Sequence, residues 1–267
     1  MFSHLLVALD GSEPAQRALA RAIEMAKLTG ATLRAVSVVE DLPHVVSRSQ
    51  EIAEDIDEGT IHFKRIQDDA RARARRSDVE LGVEILRGQK TKTLVEAASA
   101  NGTDLLVVGS AGHSGPFARF LGGTTAQLVA HAPTSVLVVR PRDSGRRFKQ
   151  ILVAVDGSTN SRTAVDVAVQ MAQSFSGTLR ALFVAAPGTD MSAVEQVRTF
   201  VAGAGVENAL VVTRGHPVGA ILEFADDLDA DLIILGAVGL DHRRPVEIGG
   251  TSHRVADHSQ RSVLVVR

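Results

Sequence analysis

The chain has 267 residues, of which 45% are hydrophobic, and a formal net charge of -2. This near-neutral charge argues against a protein that coats nucleic acid or anionic lipid, and the absence of Trp and Tyr leaves few rings for stacking on bases. The lack of cysteine excludes disulfides, thiolate metal sites and cysteine nucleophiles. The sequence MFSHLLVALDGS does not resemble a signal peptide, and the apolar runs are far shorter than the roughly 20 residues of a membrane span. We therefore expect a cytoplasmic protein with no nucleic-acid partner and no membrane partner.

The chain is an internal duplication. Residues 4–40 align without a gap with residues 150–186, with 15 identities over 37 positions. The offset between the copies is 146 residues there and 127 residues in the later part, so the second copy is 19 residues shorter between its second and third strands. We predict two domains, residues 1–143 and 147–267, connected by the polar stretch Arg142–Arg147, which we interpret as a linker.

Apolar strand runs alternate with helical patterns along each copy. Ser12 and Ser158 follow the first strand of their copy and stand where helix N-caps are expected. In the first copy we predict further strands at Leu33–Val39 and Glu80–Leu86, and helices at Ser49–Arg76 and Thr91–Ala100. In the second copy we predict strands at Leu179–Ala185 and Asn208–Thr213, and a helix at Val218–Leu228. Strands that are apolar throughout and alternate with helices predict an α/β fold with a parallel sheet covered on both faces.

One glycine-rich stretch occurs twice, VVGSAGHSGPFARFLGGTT at Val107–Thr125 and ILGAVGLDHRRPVEIGGTS at Ile234–Ser252. Each copy leads from a strand through two spaced glycines to a glycine pair, hydroxyl residues and a helix. Backbone N–H groups at such a helix start can face an anion, and glycine lets a phosphate approach closely. Ligands of open parallel sheets bind beyond the carboxyl ends of the strands. If the first and fourth strands are neighbours, Asp10 and this loop face one crevice, which predicts a pocket for a ring that carries phosphates.

These motifs resemble the universal stress protein family, here as two tandem domains. The resemblance rests on LLVALDGS and ILVAVDGS, on DLLVVG and DLIILG, on the spaced glycines and on the closing HAPTSVLVVRP, and it covers nearly the whole chain. It implies two Rossmann-like domains of the adenine nucleotide alpha hydrolase type, each with five parallel strands in the order 3-2-1-4-5. The ATP-binding branch of the family carries G-x2-G-x9-G-[ST].

The resemblance also assigns nucleotide-binding residues. On the adenine side they are Ala8, Leu9, Asp10 and Val38, and Ala154, Val155, Asp156 and Val184. On the phosphate side they are Gly109, Gly112, Gly122, Gly123 and Thr125, and Gly236, Gly239, Gly249, Gly250 and Ser252. His113 lies inside the first loop, and Thr124 and Thr251 follow the glycine pairs, so we add them as candidates from their positions. Gly123 and Gly250 depart from the motif, because the family has Ser or Thr there; Thr125 and Ser252 could supply the hydroxyl from the helix start. Two purely structural interpretations remain. The aspartates could serve only to close a turn at the end of a strand, and the glycines could serve only the geometry of the turn.

The resemblance implies a stress-response or regulatory protein that binds ATP or a related adenine nucleotide, with or without Mg²⁺. No residue is evident as a base for hydrolysis, so we expect little or no turnover. We also expect no protein-bound metal. A nucleotide-independent interaction module and a slow ATP hydrolase are the alternatives. The last strands are expected to pair within the chain, residues 136–139 with 263–266, as a pseudo-dimer, and a homodimer is a further option.

Overall fold

The computed structural model describes residues 1–40, 49–110, 121–143, 147–185, 189, 191–205, 209–238 and 249–267, with the backbone alone at 49–58 and 191. The first half contains β1 (His4–Ala8), α1 (Glu13–Thr29), β2 (Thr32–Val39), α2 (Ser49–Arg75), β3 (Leu81–Arg87), α3 (Lys90–Ser99), β4 (Leu105–Gly109), α4 (Gly123–His131) and β5 (Ser135–Val139). The second half contains β6 (Gln150–Val155), α5 (Thr159–Phe175), β7 (Thr178–Ala185), α6 (Met191–Gly203), β8 (Leu210–Arg214), α7 (Pro217–Asp227), β9 (Leu232–Gly236), α8 (Gly250–His258) and β10 (Ser262–Val266).

All ten strands form one sheet in the order β3-β2-β1-β4-β5-β10-β9-β6-β7-β8. Each half therefore has the predicted order 3-2-1-4-5, and its strands are parallel, so the expected fold class is confirmed. The halves meet at β5 and β10, which pair antiparallel with Leu137 opposite Leu264. Because these strands pair with each other, neither leaves its backbone N–H and C=O groups open at an edge.

The core lies on both faces of the sheet because the central strands are apolar along most of their length. β5 and β10 are buried at every position. Residues that alternate along a strand point to opposite faces, so Leu5 and Val7 pack with α1, whereas Leu6 packs with the layer that contains α3 and α4. The helical spacing of Ala18, Leu19 and Ala22 places them on the buried face of α1.

Asp143 lies in the segment that we predicted as a linker, and its side chain is almost completely buried. The carboxylate forms an ion pair with Arg21 of α1 and accepts a hydrogen bond from the Ser262 hydroxyl at 3.2 Å. The Arg21 guanidinium also lies 3.9 Å from the centre of the Phe148 ring. The start of the connection is thus fixed to both halves, through α1 and β10.

Candidate functional site

A cavity of about 390 Å³ opens at the carboxyl ends of β1 and β4. These strands are direct neighbours, with Leu5 opposite Leu105, and they lie where the winding of the sheet reverses. The cavity is lined by Ala8, Leu9, Asp10, Ser12, Ala15, Val36, Val38, Lys90, Leu94, Val108, Gly109, Gly122, Gly123, Thr124, Thr125 and Leu128. Topology alone therefore brings the Asp10 turn and the glycine pair together across one crevice.

Asp10 stands in a tight turn between β1 and α1. Its Oδ1 accepts hydrogen bonds from the Ser12 N–H at 3.0 Å and from the Ser12 hydroxyl at 2.6 Å. The Ser12 oxygen in turn accepts from the Ala15 N–H, so Ser12 is the N-cap that its position predicts. Gly11 adopts a φ of 81°, which favours glycine. The carboxylate thus closes a turn and also lies in the cavity wall, so the turn and the pocket share one residue.

The helix that faces this turn begins without a side-chain cap. Gly122 is the N-cap of α4, and no side chain caps the helix there. The first intrahelical bond of α4 runs from the Ala126 N–H to the Gly122 carbonyl, so the N–H groups of residues 123–125 precede it. The positive end of the helix dipole lies at the same place. This end of the cavity offers several backbone donors and a positive potential, which suit an anion.

The motif glycines fall into two physical classes. A Cβ on Gly109 would lie 2.6 to 2.7 Å from atoms of Pro14, in the first turn of α1. Gly236 is its counterpart, and a Cβ there would meet Asn160 at 2.7 to 3.0 Å. A Cβ on Gly123 would meet no atom within 4 Å. Gly109 is therefore needed for packing of a strand against a helix, whereas the protein itself does not require glycine at position 123.

The hydroxyls of Thr125 and Ser252 are used within the protein. Thr125 Oγ1 donates to the Gly109 carbonyl at 2.8 Å, and Ser252 Oγ donates to the Gly236 carbonyl at 2.7 Å. Each bond ties the first turn of α4 or α8 to the end of the preceding strand. Since a hydroxyl has one hydrogen, neither group can donate to a ligand while it keeps this bond.

The rest of the first cavity is mainly apolar. Val36 and Val38 on β2, Leu94 on α3 and Leu128 on α4 line it, which suits the faces of a planar ring. Lys90 adds a cation at the first position of α3, and its Nζ lies 3.6 Å from Glu40 Oε2. Sequence reasoning did not assign Lys90 to the site. The available signal was its place directly after β3, because the helix that follows a parallel strand starts at the same edge of the sheet.

A second cavity, of about 460 Å³, occupies the equivalent place in the second half. It is lined by Ala154, Val155, Asp156, Ser158, Ser161, Leu182, Phe183, Val184, Thr189, Ala193, Pro217, Ile221, Leu235, Gly236, Val238, Gly249, Gly250, Thr251 and Ser252. Asp156 Oδ1 accepts from the Ser158 N–H at 2.9 Å, and α8 again begins at a glycine without a side-chain cap.

Among the lining residues that the structure describes, the second cavity differs from the first in one charge. Pro217 occupies the position equivalent to Lys90, at the offset of 127 residues, so the cation at the start of α3 has no equivalent in α7. In the second half, the side chain of Asn160 in α5 donates to the Val238 carbonyl at 3.1 Å, which holds the segment after β9 to α5. The two cavities thus have the same arrangement of strands and helices, but their described lining residues differ in charge.

Of the predicted site residues that the structure describes, all line one cavity or the other. In the first half these are Ala8, Leu9, Asp10, Val38, Gly109, Gly122, Gly123, Thr124 and Thr125. In the second half these are Ala154, Val155, Asp156, Val184, Gly236, Gly249, Gly250, Thr251 and Ser252. Gly112, His113 and Gly239 lie outside the described residues.

Where side chains are described, His, Asp and Glu form no group of three or more that could hold a metal ion. Within the same part of the chain, no helix is both long enough and apolar enough to cross a membrane.

Comparisons with known proteins agree with this architecture. The profile of the Universal stress protein family matches residues 1–140, 147–201 and 192–267. A universal stress protein of Thermus aquaticus is 32% identical over 149 residues, which are 52% of this chain and 100% of that protein. The crystal structure of a universal stress protein from Archaeoglobus fulgidus superposes with a TM-score of 0.81 at 19% identity, over 99% of this chain and 98% of that one. A universal stress protein crystallised in complex with cAMP is 29% identical over 45% of this chain and 98% of its own, with a TM-score of 0.38. With its profile matched along nearly the whole length, the chain belongs to the universal stress protein family.

Proposed function

We propose that this protein binds ATP or a related adenine nucleotide in one or both cavities and acts as a regulatory or stress-response protein. The observation that carries the proposal is the uncapped start of α4 and of α8, each of which opens on a cavity beside an aspartate turn. In contrast, α1 and α5 start at the same edge of the sheet and are capped by Ser12 and Ser158. Ser12 and Ser158 each accept from one N–H in the first turn of their helix, whereas no side chain does so at α4 or α8. α3 and α7 also begin without a side-chain cap, but α4 and α8 differ from them in beginning at the glycine pair of the repeated motif.

Size and polarity support an adenine nucleotide. Volumes of about 390 and 460 Å³ fall in the range of small-molecule sites, which is roughly 300–1,000 Å³. Each cavity has an apolar part, where an adenine would lie near Val38 or Val184, and a donor-rich part at the glycine pair for phosphates. Gly112, His113 and Gly239 belong to the proposed phosphate side. Mg²⁺, where present, would arrive with the phosphates.

The linings favour binding without rapid turnover. Among the described residues, the first cavity is lined by one carboxylate, that of Asp10, and the second by one, that of Asp156. Oδ1 of each is already bonded to the turn that holds it. Neither arrangement positions a base for an attacking water, so a slow ATP hydrolase is the weaker candidate.

Titration calorimetry of the full chain with ATP and Mg²⁺ tests the proposal, with AMP and cAMP as comparison ligands. Gly123→Val and Gly250→Val isolate the sites, because both positions have space for a side chain at the mouth of their cavity. We expect each variant to lose the binding of one cavity while it keeps its fold. Absence of heat and of any rise in melting temperature with all three ligands would refute nucleotide binding.

A nucleotide-independent interaction module is the second candidate. It is favoured by the missing hydroxyl at Gly123 and Gly250 and by the engagement of Thr125 and Ser252 with strand carbonyls. Mass analysis of small molecules released from the purified, denatured protein separates the candidates. An adenine nucleotide recovered in proportion to the protein would exclude the module.

We also propose that residues 1–143 and 147–267 are two domains that form a pseudo-dimer within one chain. The antiparallel pairing of β5 with β10 supports this, because it relates the two halves about the seam of a continuous sheet. Further pairing of two chains and a cytoplasmic location are parts of the same proposal. Small-angle scattering that shows the halves moving independently would contradict the pseudo-dimer, and light scattering after size exclusion gives the oligomeric state.

A further inference from the structure

The seam between the halves contains two equivalent arginine contacts. Arg140, directly after β5, donates through Nη2 to the carbonyls of Ala256 and Asp257, near the end of α8. Arg267, directly after β10, donates through Nη2 to the carbonyls of Val129 and Ala130 in α4, at 2.9 and 3.1 Å. All these positions are related by the offset of 127 residues. Each half therefore anchors the last helix of the other.

One contact at this seam comes from an acceptor that the first half lacks at the equivalent position. Oδ1 of Asp257 accepts a hydrogen bond from the Leu121 backbone N–H at 3.0 Å. The position equivalent to Asp257 in the first half is Ala130, whose side chain offers no acceptor. Asp257 is about one quarter exposed, so water competes only in part for this bond. Burial lowers the pKa of the Arg140 guanidinium to about 10, and the charge of Asp257 acts against that shift.

Leu121 directly precedes the glycine pair of the first cavity. The Gly122 N–H donates to the Ser110 carbonyl at 2.8 Å, and the Gly122 carbonyl accepts the first intrahelical bond of α4. Two adjacent glycines have wide conformational freedom, so the direction of the donors at residues 123–125 depends on the contacts that hold the chain around them. Gly122 and Thr125 hold it to the first half, and Asp257 adds a contact from the second half at Leu121.

We propose that Asp257 is a positioning residue for the first cavity: from the second half it fixes the turn that presents the backbone donors of α4 to an anionic ligand. The first cavity is thus completed by the second half, whereas the second cavity receives no such support from Ala130. Preorganised donors bind an anion more tightly than donors that must be ordered on binding. The expected effect on affinity rests on the proposed nucleotide function. The expected effect on the order of the Leu121 turn is independent of it.

The test compares Asp257→Ala, which removes the acceptor, with Asp257→Asn, which keeps an oxygen acceptor without the charge. Asp227→Ala is the matched control, because it removes an exposed carboxylate from the end of α7 in the same half. Without ligand, hydrogen exchange followed by NMR should show faster exchange of the Leu121 amide in Asp257→Ala, and rates near those of the parent protein in Asp257→Asn and Asp227→Ala.

Affinity for ATP is then measured in the Gly250→Val background, where only the first cavity is open. We expect Asp257→Ala to weaken binding there by about tenfold, and Asp257→Asn to restore most of it. In the Gly123→Val background, where only the second cavity is open, the change should be less than twofold. Unchanged exchange of the Leu121 amide would overturn the proposal whether or not nucleotide binds. Faster exchange of that amide with unchanged affinity of the first cavity for ATP would also overturn it. If the parent protein does not bind ATP, the proposed nucleotide function is refuted, and the exchange result alone decides whether Asp257 holds the turn.

Discussion

Gly109 and Gly123 belong to the same motif, yet the structure predicts opposite results when each is replaced by alanine. The Cβ of Gly109→Ala would lie 2.6 Å from the Pro14 carbonyl carbon and 2.7 Å from Pro14 Cβ and O. Ordinary van der Waals contact lies at 3.4 to 4 Å, so β4 or the first turn of α1 must move by nearly 1 Å. Both elements are part of the buried core, and overpacking of this kind costs about 1–3 kcal/mol. For a cooperative unit of this size that corresponds to a fall in melting temperature of roughly 2–4 °C per kcal/mol.

Gly123→Ala meets no atom within 4 Å and replaces glycine by a better helix former at the first position of α4. We expect its melting temperature to stay the same or to rise by the equivalent of about 0.5–1 kcal/mol, while its affinity for ATP in the first cavity falls. Far-UV circular dichroism follows the unfolding, since the chain has no Trp or Tyr for intrinsic fluorescence. The reasoning is refuted if Gly109→Ala melts like the parent protein, or if Gly123→Ala binds ATP as the parent protein does.

Further substitutions follow from the structure. Lys90→Ala should weaken ATP more than adenosine in the first cavity, and Pro217→Lys should favour ATP over adenosine in the second, because the charge of Lys90 acts on phosphates. Equal effects on both ligands in calorimetry would show that the charge of Lys90 does not act on the ligand. Asp143→Ala removes one of the two carboxylates that pair with the buried Arg21, the other being that of Glu24, and should lower the free energy of unfolding by about 1–3 kcal/mol in urea denaturation. A loss below about 0.5 kcal/mol would mean that Glu24 and water compensate for the lost pair. Ser158→Ala removes the N-cap of α5 and should lower that free energy by about 0.5–2 kcal/mol in the same assay, with Ser158→Gly losing only a few tenths.

The fold could be predicted because its determinants are local and repeated. Each apolar strand of about five residues, each Ser at a helix start and each helical spacing of alanines and leucines is visible in a short window of sequence. The strand order came from the family resemblance, and the repeat fixed its use in both halves. The cavity linings followed from the same source, since strand order decides that Asp10 and Gly122 meet.

The contacts that pattern reasoning missed join residues far apart in the chain. Gly109 looked like a ligand glycine, but its Cβ position is occupied by Pro14, which only the packing of β4 on α1 reveals. Asp143 looked like part of a polar linker and is buried against Arg21, more than a hundred residues earlier. Asp257 is one of several acidic residues in its half, and nothing in its neighbours shows that it binds the backbone of Leu121. No periodicity encodes such pairs, because each depends on a distance set by the whole sheet.

Among the many differences between the halves, two lie beside the cavities. The pairing of β5 with β10 and the contacts of Arg140 and Arg267 are equivalent in the two halves. In contrast, Lys90 stands where the second half has Pro217, and the carboxylate of Asp257 has only Ala130 as its counterpart. The first difference adds a cation to the described lining of the first cavity, and the second adds a hold on the turn beside it. Under the proposed nucleotide function, both differences favour the more highly charged nucleotide in the first cavity, so we expect the two cavities to differ in ligand preference.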